Sequence, residues 1–93
     1  MKINLELCRT AVYRAAYLKQ IGAEHQVEAS IAKAVIGDLA VRNALDAIQI
    51  HGGYGYLKDF GAERALRDSK LLSLGGGTTE IQKLIIARHL LGE

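Results

Sequence analysis

Residues 24–50 read EHQVEASIAKAVIGDLAVRNALDAIQI, and this stretch decides the fold. Val27, Ile31, Val35, Leu39, Leu45 and Ile48 recur at close to three-to-four-residue spacing, the period of one face of a helix. Ala29, Ala32, Ala34, Ala40, Ala44 and Ala47 fill the intervals with the best helix former. Asp38 and Arg42 stand four residues apart and are expected to pair on the polar side. About 25 helical residues span roughly 38 Å, more than so short a chain needs to cover itself. A helix that long, with so wide an apolar face, is expected to have partners on more than one side.

Working outward, Ile3 to Gln20 carries a second helical stripe. Leu5, Val12 and Ala16 lie near one face, with Tyr13 and Tyr17 one turn apart beside it. Gly22, after Lys19, is the expected stop. On the other side, Gly52, Gly53 and Gly55 end the long helix, and a turn with Tyr54 and Tyr56 follows. Asp59 or Gly61 is expected to cap a short helix running to about Leu71. Gly75, Gly76 and Gly77 form a second break. Thr79 begins the last helix, and Gln82, three residues on, has the spacing of a capping box. Ile81, Leu84 and Ile85 form its apolar stripe. Arg88 and His89 suit the dipole of its last turn, and Gly92 can end it. No strand-like alternation or internal repeat is present. The fold class is therefore all-α, an antiparallel, up-and-down helical bundle.

Bulk properties narrow the function classes. With 93 residues the chain is one small domain with a modest core of its own. Its one cysteine, Cys8, cannot form an internal disulfide and reads as a small packing residue. No apolar run approaches the roughly 18 residues of a membrane span, and the N-terminus lacks the apolar region of a signal peptide. The expectation is a cytoplasmic protein, or a mitochondrial-matrix one if the chain belongs to a longer eukaryotic protein. A net charge of +2 with interspersed signs gives no basic stripe, which disfavours nucleic acid as a partner.

Two segments invite chemistry. Gly75-Gly76-Gly77-Thr78-Thr79-Glu80 places glycines, which allow close backbone approach, directly before a helix N-terminus. That is either a flexible turn with a capped helix or a site for a phosphate, pyrophosphate or oxyanion. It is not a P-loop, because no Lys follows the glycines. Gln49-Ile50-His51-Gly52-Gly53-Tyr54-Gly55-Tyr56 is either a helix C-cap with an irregular loop or a turn where backbone meets a flat ligand. His25, His51 and His89 lack metal-ligand spacing, so no metal site is expected. Arg67-Asp68 is either a catalytic pair or, more commonly, an ion pair tying the short helix to its neighbours.

Together these segments resemble the acyl-CoA dehydrogenase family. Residues 49–56 are similar to its Q-I-x-G-G-x-G-Y/F signature. Glu63-Arg64 and Arg67-Asp68 match its E-R/K and R-D, and Leu74 to Gln82 resembles I-Y-E-G-T-S-E-I-Q. Upstream, Tyr13 to Leu18 resembles Y-R-A-A-W, and Ile31 to Ala34 its A-K-rich helix start. The resemblance covers essentially the whole chain. It implies the family's C-terminal four-helix domain over residues 1–93, with part of the first helix missing and no N-terminal helical or middle β-domain.

The resemblance implies FAD as cofactor, contacted by Gln49, Ile50, His51, Gly52 and Gly53 across a subunit interface. Thr78, Thr79 and Glu80 would form a second FAD contact, and Gly77 a substrate contact. The backbone N–H of Gly76 would help bind the thioester carbonyl. It also implies acyl-CoA as substrate, an electron-transfer flavoprotein as acceptor, and a homo-oligomer, dimer or tetramer. Gly75-Gly76 departs from the pattern, because the family commonly has Tyr-Glu there and that glutamate is the base. Glycine has no side chain to accept a proton, so no catalytic base is expected within these residues. The alternative is a non-catalytic helical interaction module derived from the same fold.

Overall fold

The computed structural model describes all of residues 1–93. Four α-helices form, with no strand: α1 (Lys2–Gln20), α2 (Gln26–His51), α3 (Ala62–Lys70) and α4 (Thr79–Leu90). Short 3₁₀ turns, Gly52–Tyr56, Lys58–Phe60 and Leu71–Ser73, join the last three. The predicted helices are thus present, within two residues at each end. No helix is long and apolar enough to cross a membrane.

Glycines stop the helices by a shared mechanism. After α1, Gly22 at φ 74° lets its N–H reach Lys19 O and the Ala23 N–H reach Leu18 O. After α4, Gly92 at φ 78° repeats the pattern, with Glu93 N–H on Arg88 O and Gly92 N–H on His89 O. Both are the paired bonds that a left-handed residue makes possible at a helix C-terminus. Of the two expected caps for α3, Gly61 takes the position, at φ 77°.

The long helix α2 is the spine. Helix α1 lies antiparallel to it, tied by Asn4 Nδ2 to Asn43 Oδ1 at 2.9 Å and by an Arg14–Glu28 ion pair at 3.7 Å. Helices α3 and α4 run back along α2 in succession, and neither packs substantially on α1. The result is elongated, 49 × 23 × 18 Å. Its radius of gyration is 15.5 Å, against roughly 12 Å for an average domain of this length.

That shape leaves little interior. The buried apolar side chains are Ala32, Ala44 and Ala62, and no large side chain is fully buried. Ile3, Leu7, Ile50, Leu71, Leu84 and Leu90 all stand exposed. Small residues instead set how closely the helices approach. A Cβ on Gly37 would meet Ser73 Cα and Thr79 Oγ1, each at 3.2 Å. A Cβ on Gly55 would collide with Ile48 O at 2.3 Å.

Three expectations need correction. Asp38 and Arg42 form no ion pair within 4.0 Å; both line the groove between α1 and α2 instead. Arg67 and Asp68 do not pair with each other or with a neighbouring element. Arg67 pairs with Glu63 at 3.2 Å and Asp68 with Arg64 at 3.5 Å, each one helical turn away within α3. Adjacent residues on a helix do not face each other, whereas i,i+4 residues do. Finally, the cap of α4 is Thr78, whose hydroxyl accepts the Ile81 N–H at 3.2 Å. Thr79 is the first helical residue, and Gln82 does not complete a capping box with it. The Gln82 side chain instead reaches Gly77 O at 3.4 Å.

Candidate functional site

The glycine break before α4 builds a row of free donors. Gly75 N–H turns back onto Leu71 O at 2.8 Å. Gly76 and Gly77 then take positive φ, 67° and 95°, and carry the chain into the Thr78 cap. No hydrogen bond within the chain uses the N–H groups of Gly76, Gly77, Thr78, Thr79 or Glu80. Helix N-termini always leave such groups over, and the two left-handed glycines extend the row upstream of the helix. Five consecutive main-chain donors at the positive end of a helix fit an electron-rich acceptor, such as a phosphate, a flavin carbonyl or a thioester oxygen.

The two glycines are not equivalent. At Gly77 a Cβ would lie 2.8 Å from Gln82 Nε2, so both space and φ require glycine. At Gly76 a Cβ would meet only Lys33 Cε, at 3.8 Å. A side chain fits there, at the cost of a left-handed backbone, about 1 kcal/mol. Thr79, expected among the cofactor contacts, is buried with its hydroxyl facing Gly37 and without a partner. Its main-chain N–H, not its side chain, belongs to the donor row. Glu80 is exposed in the first turn of α4.

The second segment ends α2. Gln49, Ile50, His51, Gly52 and Gly53 are all exposed. His51 Nδ1 lies 2.7 Å from Ala47 O. A carbonyl only accepts, so Nδ1–H is the donor and Nε2 points away from this bond. Gly52 has φ 63°, and neither Gly52 nor Gly53 has any atom within 4 Å of where a Cβ would stand. This open backbone surface fits a flat ring. Tyr54 and Phe60, both exposed, pack against each other in the following turns, their centroids 5.1 Å apart.

The structure does not bring the two segments together. The glycine turn sits beside Lys33 and Gly37 in the first half of α2, whereas Gln49 to Gly53 cap its far end. Along α2, Lys33 and Gln49 are about 24 Å apart. One small group cannot touch both segments of one copy.

Neither Lys33, which the sequence places only in the A-K-rich helix start, nor Gly37 is among the expected site residues. For Gly37 a signal existed, since glycine inside a helix is destabilising and needs a packing reason. The hydrogen bond from Lys33 to Leu72 O joins residues 39 apart and leaves no local pattern. No three His, Cys, Asp or Glu side chains gather where a metal could be held.

Residues 1–91 match the family model described as acyl-CoA dehydrogenase, C-terminal domain. An acyl-CoA dehydrogenase of Bacillus subtilis (strain 168) is 51% identical over 99% of the chain and 24% of its own length. Among solved structures, butyryl-CoA dehydrogenase from Megasphaera elsdenii superposes with a TM-score of 0.95 at 42% identity, over 98% of this chain and 24% of that one. An FAD complex of PigA superposes at 0.93 with 38% identity, over 97% and 24%. The chain thus spans about a quarter of the length of the relatives it matches.

Proposed function

This chain belongs to the acyl-CoA dehydrogenase family, and we propose that it acts there as a C-terminal domain that supplies flavin contacts and a subunit interface but no catalytic base. The whole flavoprotein would carry out α,β-dehydrogenation of an acyl-CoA thioester, in the cytoplasm or the mitochondrial matrix, and pass electrons to an electron-transfer flavoprotein. The observation that carries this reading is the row of free N–H groups from Gly76 to Glu80.

FAD, when bound, supplies the acceptor for the substrate's β-hydride. The chain's own residues bind and orient. Thr78, Thr79 and Glu80 offer main-chain donors to the cofactor of the same copy. Gly76 and Gly77 offer theirs to the thioester carbonyl, where donors placed for a developing oxyanion lower the barrier. Gln49 to Gly53, some 24 Å away along α2, would meet the cofactor of a neighbouring copy. That separation supports a homo-oligomer in which each flavin is completed by two chains. At Gly76 no side chain exists to take the α-proton.

The test is a fusion of residues 1–93 to the N-terminal three-quarters of the Bacillus subtilis relative. The expected result is a yellow protein with close to one flavin per subunit. A folded fusion that holds no flavin overturns the proposal.

The exposed apolar helices and the missing base also favour a second reading, a non-catalytic interaction module. It expects helical oligomers of the chain alone, without flavin absorbance. Flavin that co-purifies with the chain alone excludes it.

A further inference from the structure

We propose that Lys33 is a positioning residue for the glycine turn, holding the Gly76–Glu80 donor row at the angle its acceptor requires. This rests on the reading of that row as an acceptor site. Three successive glycines have the largest backbone entropy to lose, so a turn built from them does not hold one shape unaided. Inside the turn only short-range bonds act, from Leu74 and Gly75 N–H to Leu71 O. Lys33 reaches in from α2. Its ammonium donates to Leu72 O at the entry of the turn, and its Cε passes 3.8 Å from where a Cβ on Gly76 would stand. One side chain therefore touches both Leu72 and the Gly76 position.

At the exit, Gln82 Nε2 donates to Gly77 O at 3.4 Å, from α4. The donor row lies between these two ties. Lys33 has no carboxylate within 4.0 Å, so the Leu72 carbonyl is the group that its charge engages. A hydrogen bond from a charged donor is roughly twice as strong as a neutral one, which suits it to fix a glycine turn.

The experiment compares Lys33→Met and Lys33→Arg with the unaltered fusion described above. Met keeps the aliphatic stem beneath Gly76 and removes the donor, whereas Arg restores a donor. The readouts are flavin content, the dissociation constant for butyryl-CoA from the flavin absorbance change, and amide hydrogen exchange of residues 71–82. We expect Met to lose part of its flavin and, in the flavin-loaded fraction, to bind butyryl-CoA about tenfold more weakly and to exchange faster across 71–82. Arg should return both values to within about threefold of the unaltered protein. A Met variant that matches the unaltered protein in exchange and in binding overturns the role, and so does an Arg variant that behaves as Met does. If the unaltered fusion holds flavin but no butyryl-CoA, the reading of Gly76 as a carbonyl donor fails. Exchange across 71–82 then decides the Lys33 role alone.

Discussion

Thr79 Oγ1 lies 3.2 Å from the point where a Cβ on Gly37 would stand, and it has no hydrogen-bond partner. Here α4 meets α2 through a residue without a side chain, directly behind the donor row. The other atom at 3.2 Å is Ser73 Cα, which is main chain and cannot swing aside. The position of the Gly76–Glu80 row thus depends on how closely α4 approaches Gly37.

Gly37→Ala sets two effects against each other. Alanine improves helix propensity by about 1 kcal/mol. Overpacking against main chain costs about 1–3 kcal/mol. The expected net effect is a loss of about 1 kcal/mol, less than about 4 °C in the Tm of the much larger fusion. Thermal unfolding of the fusion checks this, and flavin content should fall with it because α4 is pushed outward.

The two adjacent threonines should respond in opposite directions. Thr79→Val removes an orphaned buried hydroxyl and is expected to stabilise by up to about 1 kcal/mol while leaving flavin binding intact. Thr78→Ala removes the hydroxyl that accepts the Ile81 N–H and should cost about 1 kcal/mol. Denaturant titration of both variants separates the cap from its neighbour. A loss of flavin in Thr79→Val would show that the side chain, not the main chain, makes the contact.

The isolated chain should associate. With no large side chain fully buried and with Ile3, Leu7, Ile50 and Leu90 exposed, its helices keep apolar faces that only another surface can cover. Light scattering on the purified chain is expected to show concentration-dependent oligomers, and a hydrophobic dye should bind. A monomer with a sharp thermal transition would contradict this.

Burial pushes the Cys8 thiol above its ordinary value of 9.0. The folded chain therefore keeps a proton that the unfolded chain releases. The associated stability is complete below the pH at which the unfolded thiol titrates, and it is lost as pH rises through the folded value. Alkylation of Cys8 at mildly alkaline pH should be slower in the folded chain than in urea, because the thiolate is the reacting form.

Local chemistry made much of this structure legible. The repeat from Val27 to Ile48 gave α2, and Gly22, Gly61 and Gly92 gave helix boundaries through their freedom at positive φ. The Gly76-to-Glu80 segment was legible as a donor-rich helix start. What escaped depends on tertiary packing. The i,i+4 partners Glu63–Arg67 and Arg64–Asp68 were available to the same rule that suggested Asp38–Arg42, but the rule cannot say which pairs the surroundings leave free to form. Thr78 and Thr79 are chemically alike at the start of α4, and only the approach to Gly37 decides which hydroxyl caps and which is buried. The Lys33 contact with Leu72 belongs to the fold alone.

Under the proposed function, Gly76 would offer a main-chain donor to the thioester and no base. Gly76 has room for a side chain apart from its left-handed backbone, and the nearest neighbour of a new side chain would be Lys33. The most direct measurement is butyryl-CoA-dependent dye reduction by the flavin-loaded fusion, with Gly76 and with Gly76→Glu. Turnover is expected to be negligible with Gly76 and raised at least about a hundredfold by Gly76→Glu, the scale of a positioned general base. The same turnover with Gly76 and with Gly76→Glu would contradict this, because Gly76 would then not face the substrate.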